Sequence, residues 1–377
     1  MKNKKIRVLV GLILSFYTLS SVSSTPARAL EADTGSYTYP LSTSTSSVEE
    51  ECAQALASNV TVGSRILELL FGKEKDKAKI LAVGGGVFGV RLKQSHVSVA
   101  EARGIPALSS GDIILSVNGK EIKCAEDVRR TVAASGGESV TLKALHKGQS
   151  IALELRPSLV DGEYKLGLTL RDTAAGIGTI TFIDPETGFF GGLGHGISDG
   201  DTGEVIDMES GEVVGAILGG IHRGEVGKPG ELTGILTDEK CGTLNTNCDC
   251  GVFGHLDKLP SNIKTLEVAS SSEVHEGEAT ILSTVKNGGS AEYKIEILDI
   301  DRSSTGSKSF KIRVTDETLK AITGGIVRGM SGSPIIQDGK LVGAVTHVMI
   351  ADPTEGYGIF IENMLNAAQS QATPKAA

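Results

Sequence analysis

The chain has no Trp, only 4% aromatic residues and ten Pro in 377 positions. With so little Pro and no Gly-X-Y period, a collagen-like rod is excluded, and 22% charged residues beside 40% hydrophobic ones exclude global disorder. Few aromatics mean that a core must be built from Ile, Val, Leu and Ala. Long apolar runs are also missing. The longest, Val8 to about Leu19, is roughly 12 residues where about 20 span a bilayer comfortably. Basic residues are in deficit as well: 37 Lys and Arg against 46 Asp and Glu give a net charge of -9, which supplies no electrostatic basis for binding nucleic acid. Glycine is what abounds. Its 48 residues are about 13% of the chain against a usual share of about 7%, which favours a turn-rich β protein, and the length favours two domains.

Lys2, Lys4, Lys5 and Arg7 precede the apolar run, and Ala27-Arg28-Ala29 follows it as a small-x-small site. Residues 1–29 therefore read as an export signal, cleaved or retained as a membrane anchor. Its loss would leave 32 basic against 46 acidic residues, a net charge of -14. Residues 30–77 read as a Ser/Thr/Gly-rich linker and a connecting region, and residues 368–377 as a polar tail. Export permits disulfides, but five cysteines leave at least one unpaired in a monomer. Cys241, Cys248 and Cys250 form C-x6-C-x-C, with His255 five residues on, and lack the C-x2-C pair of common zinc motifs. A loop disulfide, free thiols and a metal stay open as readings.

Residues 78–160 carry one compact pattern. Ile80–Val83 and Val87–Leu92 read as strands around Gly84-Gly85-Gly86-Val87-Phe88-Gly89, and Ile113–Val117 as a strand ending in an Asn118-Gly119 hairpin turn. Ala125–Ala134 has helical spacing, and two more strands follow at 140–145 and 151–155. The run from Gly111 to Lys120, its helix and the upstream glycine loop resemble a PDZ domain of the kind attached to exported bacterial proteases. That resemblance implies a peptide added to a sheet edge, with Gly86, Val87, Phe88 and Gly89 as the loop that receives its carboxylate. The same glycines would serve equally as an ordinary turn. No helix follows them, so a dinucleotide site is excluded.

Residues 161–367 hold many short β-prone runs separated by Gly, Asn and Asp, as expected of a barrel or sandwich. Within them, Gly329-Met330-Ser331-Gly332-Ser333-Pro334 sets a Ser on a tight glycine turn between strands. Its hydroxyl would be exposed, and the N–H groups of Gly329 and Ser331 could converge on an oxyanion. This turn resembles the nucleophile region of trypsin-like double-barrel serine peptidases. A Ser nucleophile needs a base. His195, flanked by Gly194 and Gly196, is the accessible candidate, whereas His347, at the end of an apolar strand, reads as structural. Spacing alone leaves Asp316 and Asp199 equal as the orienting carboxylate.

The order of PDZ-like segment, Tyr164-Lys165-Leu166-Gly167-Leu168, Gly194-His195, Gly324-Gly325-Ile326-Val327, the Ser turn and Thr346-His347-Val348 resembles the SpoIVB peptidase family of endospore formers. The resemblance implies a mainly β fold, a PDZ domain followed by a trypsin-like double β-barrel, and a Ser/His/Asp triad of Ser331, His195 and Asp316 with no metal or organic cofactor. It further implies an exported sporulation endopeptidase, active between the two forespore membranes. Such a protein cleaves itself and then a membrane-bound regulator of an intramembrane protease, releasing the mother-cell sigma factor K. A non-catalytic PDZ scaffold binding a membrane partner is the competing expectation.

Overall fold

The computed structural model describes residues 79–260, 263–286 and 289–372. The export segment, the linker and Cys52 lie outside these residues.

In chain order, β1 (Ile80–Val83) leads to the 16-residue strand β2 (Val87–Ala102). β3 (Ile113–Val117), β4 (Lys120–Glu121), helix α1 (Ala125–Ala134), β5 (Val140–His146) and β6 (Gln149–Leu155) come next. The small hairpin of β7 (Ser158–Val160) and β8 (Glu163–Lys165) precedes a second long strand, β9 (Leu168–Ile183). β10 (Phe189–Gly192), β11 (Met208–His222), β12 (Glu231–Cys248), β13 (Gly251–Leu256) and β14 (Thr265–Glu267) follow. The last third holds β15 (Gly277–Ser283), β16 (Ala291–Ile300), β17 (Phe310–Val314), helix α2 (Glu317–Thr323), β18 (Pro334–Gln337), β19 (Lys340–Val348), β20 (Glu355–Phe360) and helix α3 (Ile361–Ala372).

Pairing of β9, β10, β13, β12, β11 and β2 closes a ring, because β2 returns to pair with β9. β15, β16, β17, β20, β19 and β18 close a second barrel. The first is filled by Phe88, Val90, Leu92, Phe190, Val213 and Val252, and the second by residues such as Ile281, Ile295, Ile312, Phe310 and Val345. The few aromatics are concentrated inside: Phe182, Phe190, Phe253, Phe310 and Phe360 are among the largest fully buried side chains. The expected Ile, Val, Leu and Ala core is thus anchored by Phe. Asn118 and Gly119 both take positive φ, +50° and +75°, as their hairpin turn requires.

The PDZ-like segment grows out of the first barrel instead of preceding it. Along β2, Phe88, Val90 and Leu92 point into the barrel, whereas Val97 and Val99 enter a separate core with Ile114, Val128, Val132 and Leu142. Inward residues switch from even to odd because the pairing with β9 slips between Lys93 and Ser98. Strand alternation has period two, so an odd insertion sends the following side chains to the other face. β2 and β9 therefore serve both modules. The division expected after residue 160 does not coincide with the hydrogen bonding, since Leu168–Arg171 pair with the second half of β2 and the rest of β9 belongs to the barrel.

Phe310 fills the second barrel against the backbones of Gly343 and Gly358, where an added Cβ would come within 3.2 and 2.3 Å of its ring. Phe310→Ala is expected to cost about 3–5 kcal/mol, read as a lowered urea midpoint with little change in slope.

Candidate active site

The nucleophile turn is strapped to the first barrel by two fully buried threonines of β9. Thr179 donates its N–H to Ser331 O (3.0 Å) and its Oγ1–H to Gly329 O (2.9 Å), and Thr181 Oγ1–H donates to Gly332 O (2.8 Å). Gly329 and Gly332 sit at φ +95° and +93°, and a Cβ on Gly332 would lie 2.0 Å from Thr179 O. Only glycine fits there. Among the described residues, no protein acceptor takes the N–H of Gly329 or of Ser331. Two free amides on one tight turn can donate to a developing oxyanion.

His195 follows β10 in the loop of the other barrel, after Leu193 and Gly194 at φ +65° and +67°. Its Nδ1 is 2.8 Å from Gly196 O, so Nδ1 carries the proton and Nε2 is left as the acceptor. Burial lowers its pKa below the ordinary imidazole value, partly offset by that carbonyl, which keeps the ring neutral and able to act as a base. Asn247 pins the loop. Its Oδ1 accepts from Ile197 N (2.8 Å) and its Nδ2 donates to Ile197 O and Ile206 O (both 2.9 Å).

His195, Ser331 and Gly329 line one cavity of about 510 Å³ between the barrels. His347 joins them, its ring centroid 5.0 Å from that of His195. The Ser331 hydroxyl donates to Thr346 O (2.8 Å), so it must leave this carbonyl before an imidazole takes its proton. Catalytic bonds of this kind often align only when substrate is bound.

Asp316 is not brought to this cavity. It caps α2, its Oδ1 accepting from Leu319 N (2.9 Å) and its Oδ2 from Lys294 N (3.3 Å). Asp199 is also engaged elsewhere, accepting from Asp201 N and Thr202 N and lying 3.5 Å from Arg171. The expected peptide loop needs a correction too. Gly86 borders the bend into β2, and Val87, Phe88 and Gly89 pair with Thr179, Gly178 and Ile177 inside the barrel. Gly89 is glycine because a Cβ would meet Leu236 and Val214 at 2.5 and 2.7 Å. A groove of about 660 Å³ lies instead between α1, through Val128 and Val132, and the segment Tyr164–Leu170. The edge of β9 at Leu168–Leu170 that faces away from β2 is unpaired among the described residues. The signal for it in the sequence was Leu166-Gly167-Leu168, an apolar-Gly-apolar turn just before a strand, with Gly167 at φ +74°.

Cys124, Cys241, Cys248 and Cys250 are free thiols, which removes the loop disulfide as a reading for the cluster. Burial pushes the Cys250 thiol up to about 11, so it is inert near neutrality.

A serine turn from one closed barrel and an imidazole from another, meeting over a shared cavity, is the arrangement of a double-barrel serine peptidase. The family model "SpoIVB peptidase S55" matches residues 162–365, more than half of the chain. The chain belongs to the SpoIVB peptidase family, and it is a serine endopeptidase acting on protein or peptide substrates. No curated protein sequence matches it significantly. Among solved structures, a protease of M. tuberculosis in its active form is 14% identical over 54% of this chain and 77% of that one, with a TM-score of 0.32. The HtrA-type protease AlgW with a tripeptide is 13% identical, covering 52% of this chain and 56% of that one, TM-score 0.31. The PDZ domain of an SdrC-like protein from Listeria monocytogenes is 22% identical, covering 21% of this chain and 90% of that one, TM-score 0.19.

Asn247→Ala is expected to lower kcat about tenfold or more while leaving KM nearly unchanged, because it loosens the His195 loop and touches no substrate; steady-state kinetics on a peptide substrate read the split. Burial, then the nearby His195 and Lys308, hold the pKa of His347 down to about 4. An unfolded His titrates near 6.5, so the folded state binds fewer protons below that value and stability falls as pH drops from about 6.5 to about 4. Melting temperatures measured across this window should fall, and the fall should be shallower in His347→Gln.

Proposed function

We propose that this peptidase is an exported sporulation endopeptidase that cleaves itself near its N-terminus and then cuts a membrane-bound regulator of an intramembrane protease, leading to activation of the mother-cell sigma factor K. The observation that carries the reading is the delivery of Ser331 and His195 from two barrels into one cavity, beside the free amides of Gly329 and Ser331. Family membership supports the biological setting.

Ser331 Oγ attacks the scissile carbonyl carbon while His195 Nε2 takes its proton. The carbonyl oxygen becomes an oxyanion held by the Gly329 and Ser331 amides. When the C–N bond breaks, the proton on His195 passes to the leaving amine. Water, deprotonated by the same imidazole, then releases the acyl group and restores Ser331. In this reading the α1–β9 groove holds an extended segment of the substrate or of the protein's own N-terminal region, adding to the free edge of β9.

The full chain and its Ser331→Ala variant, expressed in an endospore former, separate the enzyme from a non-catalytic scaffold. Loss of N-terminal trimming in the variant is expected, and trimming at the parental rate would show that another protease does the work.

A further inference from the structure

We propose that Arg328 selects the substrate by holding an Asp or Glu side chain within about three residues of the scissile bond, so that this peptidase cuts beside acidic residues. The inference rests on the serine-peptidase reading of the cavity and adds a substrate class to it. Arg328 lines that cavity together with His195, Ser331 and His347. Among the described residues, no Asp or Glu lines it, although the whole chain carries 46 acidic against 37 basic residues. The cavity thus inverts the charge of the molecule around it. Such a patch attracts a carboxylate and repels Lys and Arg.

The guanidinium is also uncommitted. Of the ten arginines in the described residues, six stand within 4.0 Å of a carboxylate, and Arg223 and Arg302 donate to backbone carbonyls. Among those residues Arg156 and Arg328 do neither, and Arg156 follows β6 and does not border the cavity. The Arg328 fork is exposed, with its donors open to a bidentate carboxylate.

Backbone bonds fix where that fork is offered. Arg328 N donates to Gly230 O (2.9 Å) and Arg328 O accepts from Leu232 N (2.8 Å), forming a parallel bridge with Glu231 at the start of β12. Ser331 lies three residues on, at most about 10 Å of extended chain. An extended substrate rises about 3.3 Å per residue, so a carboxylate held near Arg328 belongs to a residue one to three places from the carbonyl that Ser331 attacks. Much of the remaining wall is apolar, through Ile177, Ile326, Val327, Val348 and Ile350. Once substrate displaces water from such a wall, the charged bond strengthens.

The test uses the full chain and a library of proteome-derived peptides, with cut sites read by mass spectrometry. Asp or Glu should be enriched within three residues of the bonds that are cut. One such peptide is then paired with a copy in which Gln replaces the acidic residue, and kcat/KM is measured for both. The parent should prefer the acidic member by about tenfold or more, Arg328→Gln should bring the ratio to within about twofold of one, and Arg328→Glu should favour a copy carrying Lys. A ratio taken within one variant cancels any general loss of activity. Salt gives a reading on the parent alone should a variant fail to fold: between about 0.05 and 0.5 M NaCl the preference should shrink several-fold, because screening weakens an exposed charge pair. A parent without acidic preference, a preference that persists in folded Arg328→Gln, or one that salt leaves unmoved would overturn the proposal. A fluorophosphonate probe separates the two readings. Labelling of Ser331 without acidic preference removes this inference alone, whereas a parent that neither labels nor cleaves removes the serine-peptidase reading beneath it.

Discussion

A peptidase assembled from two barrels must hold a nucleophile on one within bonding reach of a base on the other, and here the burden falls on Thr179 and Thr181. These side chains are fully buried and, with the amide of Thr179, give three hydrogen bonds to the carbonyls of Gly329, Ser331 and Gly332. Buried polar groups are costly unless paired, so breaking any of these bonds would strand a donor and an acceptor together. Leu193 N also donates to Thr179 O, which ties the approach to His195 to the same residue. The amides left free are those of Gly329 and Ser331, because the strap consumes carbonyls and spares N–H groups.

Glycine makes this closeness feasible. Gly332 lies against Thr179 O and Leu193 N at distances no Cβ would tolerate, and Gly194 lies against Thr346. The backbone approaches that bring the barrels together are therefore steric as much as hydrogen-bonded. Part of the glycine excess is the condition for packing one barrel onto the other.

Much of this was legible in the sequence. The strands around the Ser turn, the Asn118-Gly119 hairpin, helix Ala125–Ala134 and the strand Phe310–Val314 follow from local patterning, and they appear with those bounds or close to them. Ser331 and His195 were also readable, since each stands in a glycine setting that a packed core would not need. Three features were not. The even-to-odd switch in β2 depends on a register slip against a strand some 80 residues later in the chain, which local alternation cannot reveal. The Gly86–Gly89 loop matched a peptide-binding motif in composition, but Gly89 answers to Leu236 and Val214 across the barrel. Asp316 had the spacing of a triad member and also the position of a helix cap, and a sequence does not say which of two hydrogen-bonding duties a carboxylate performs.

β9 runs unbroken from the groove beside α1 to the threonines that hold the nucleophile turn. Eleven residues separate Leu168 from Thr179, and at about 3.3 Å per residue they set a span of up to roughly 36 Å. A strand inside a sheet has no hinge, so this distance does not adjust as it would across a flexible tether. The groove beside α1 and the turn that carries Ser331 are thereby held at a set separation by one continuous strand.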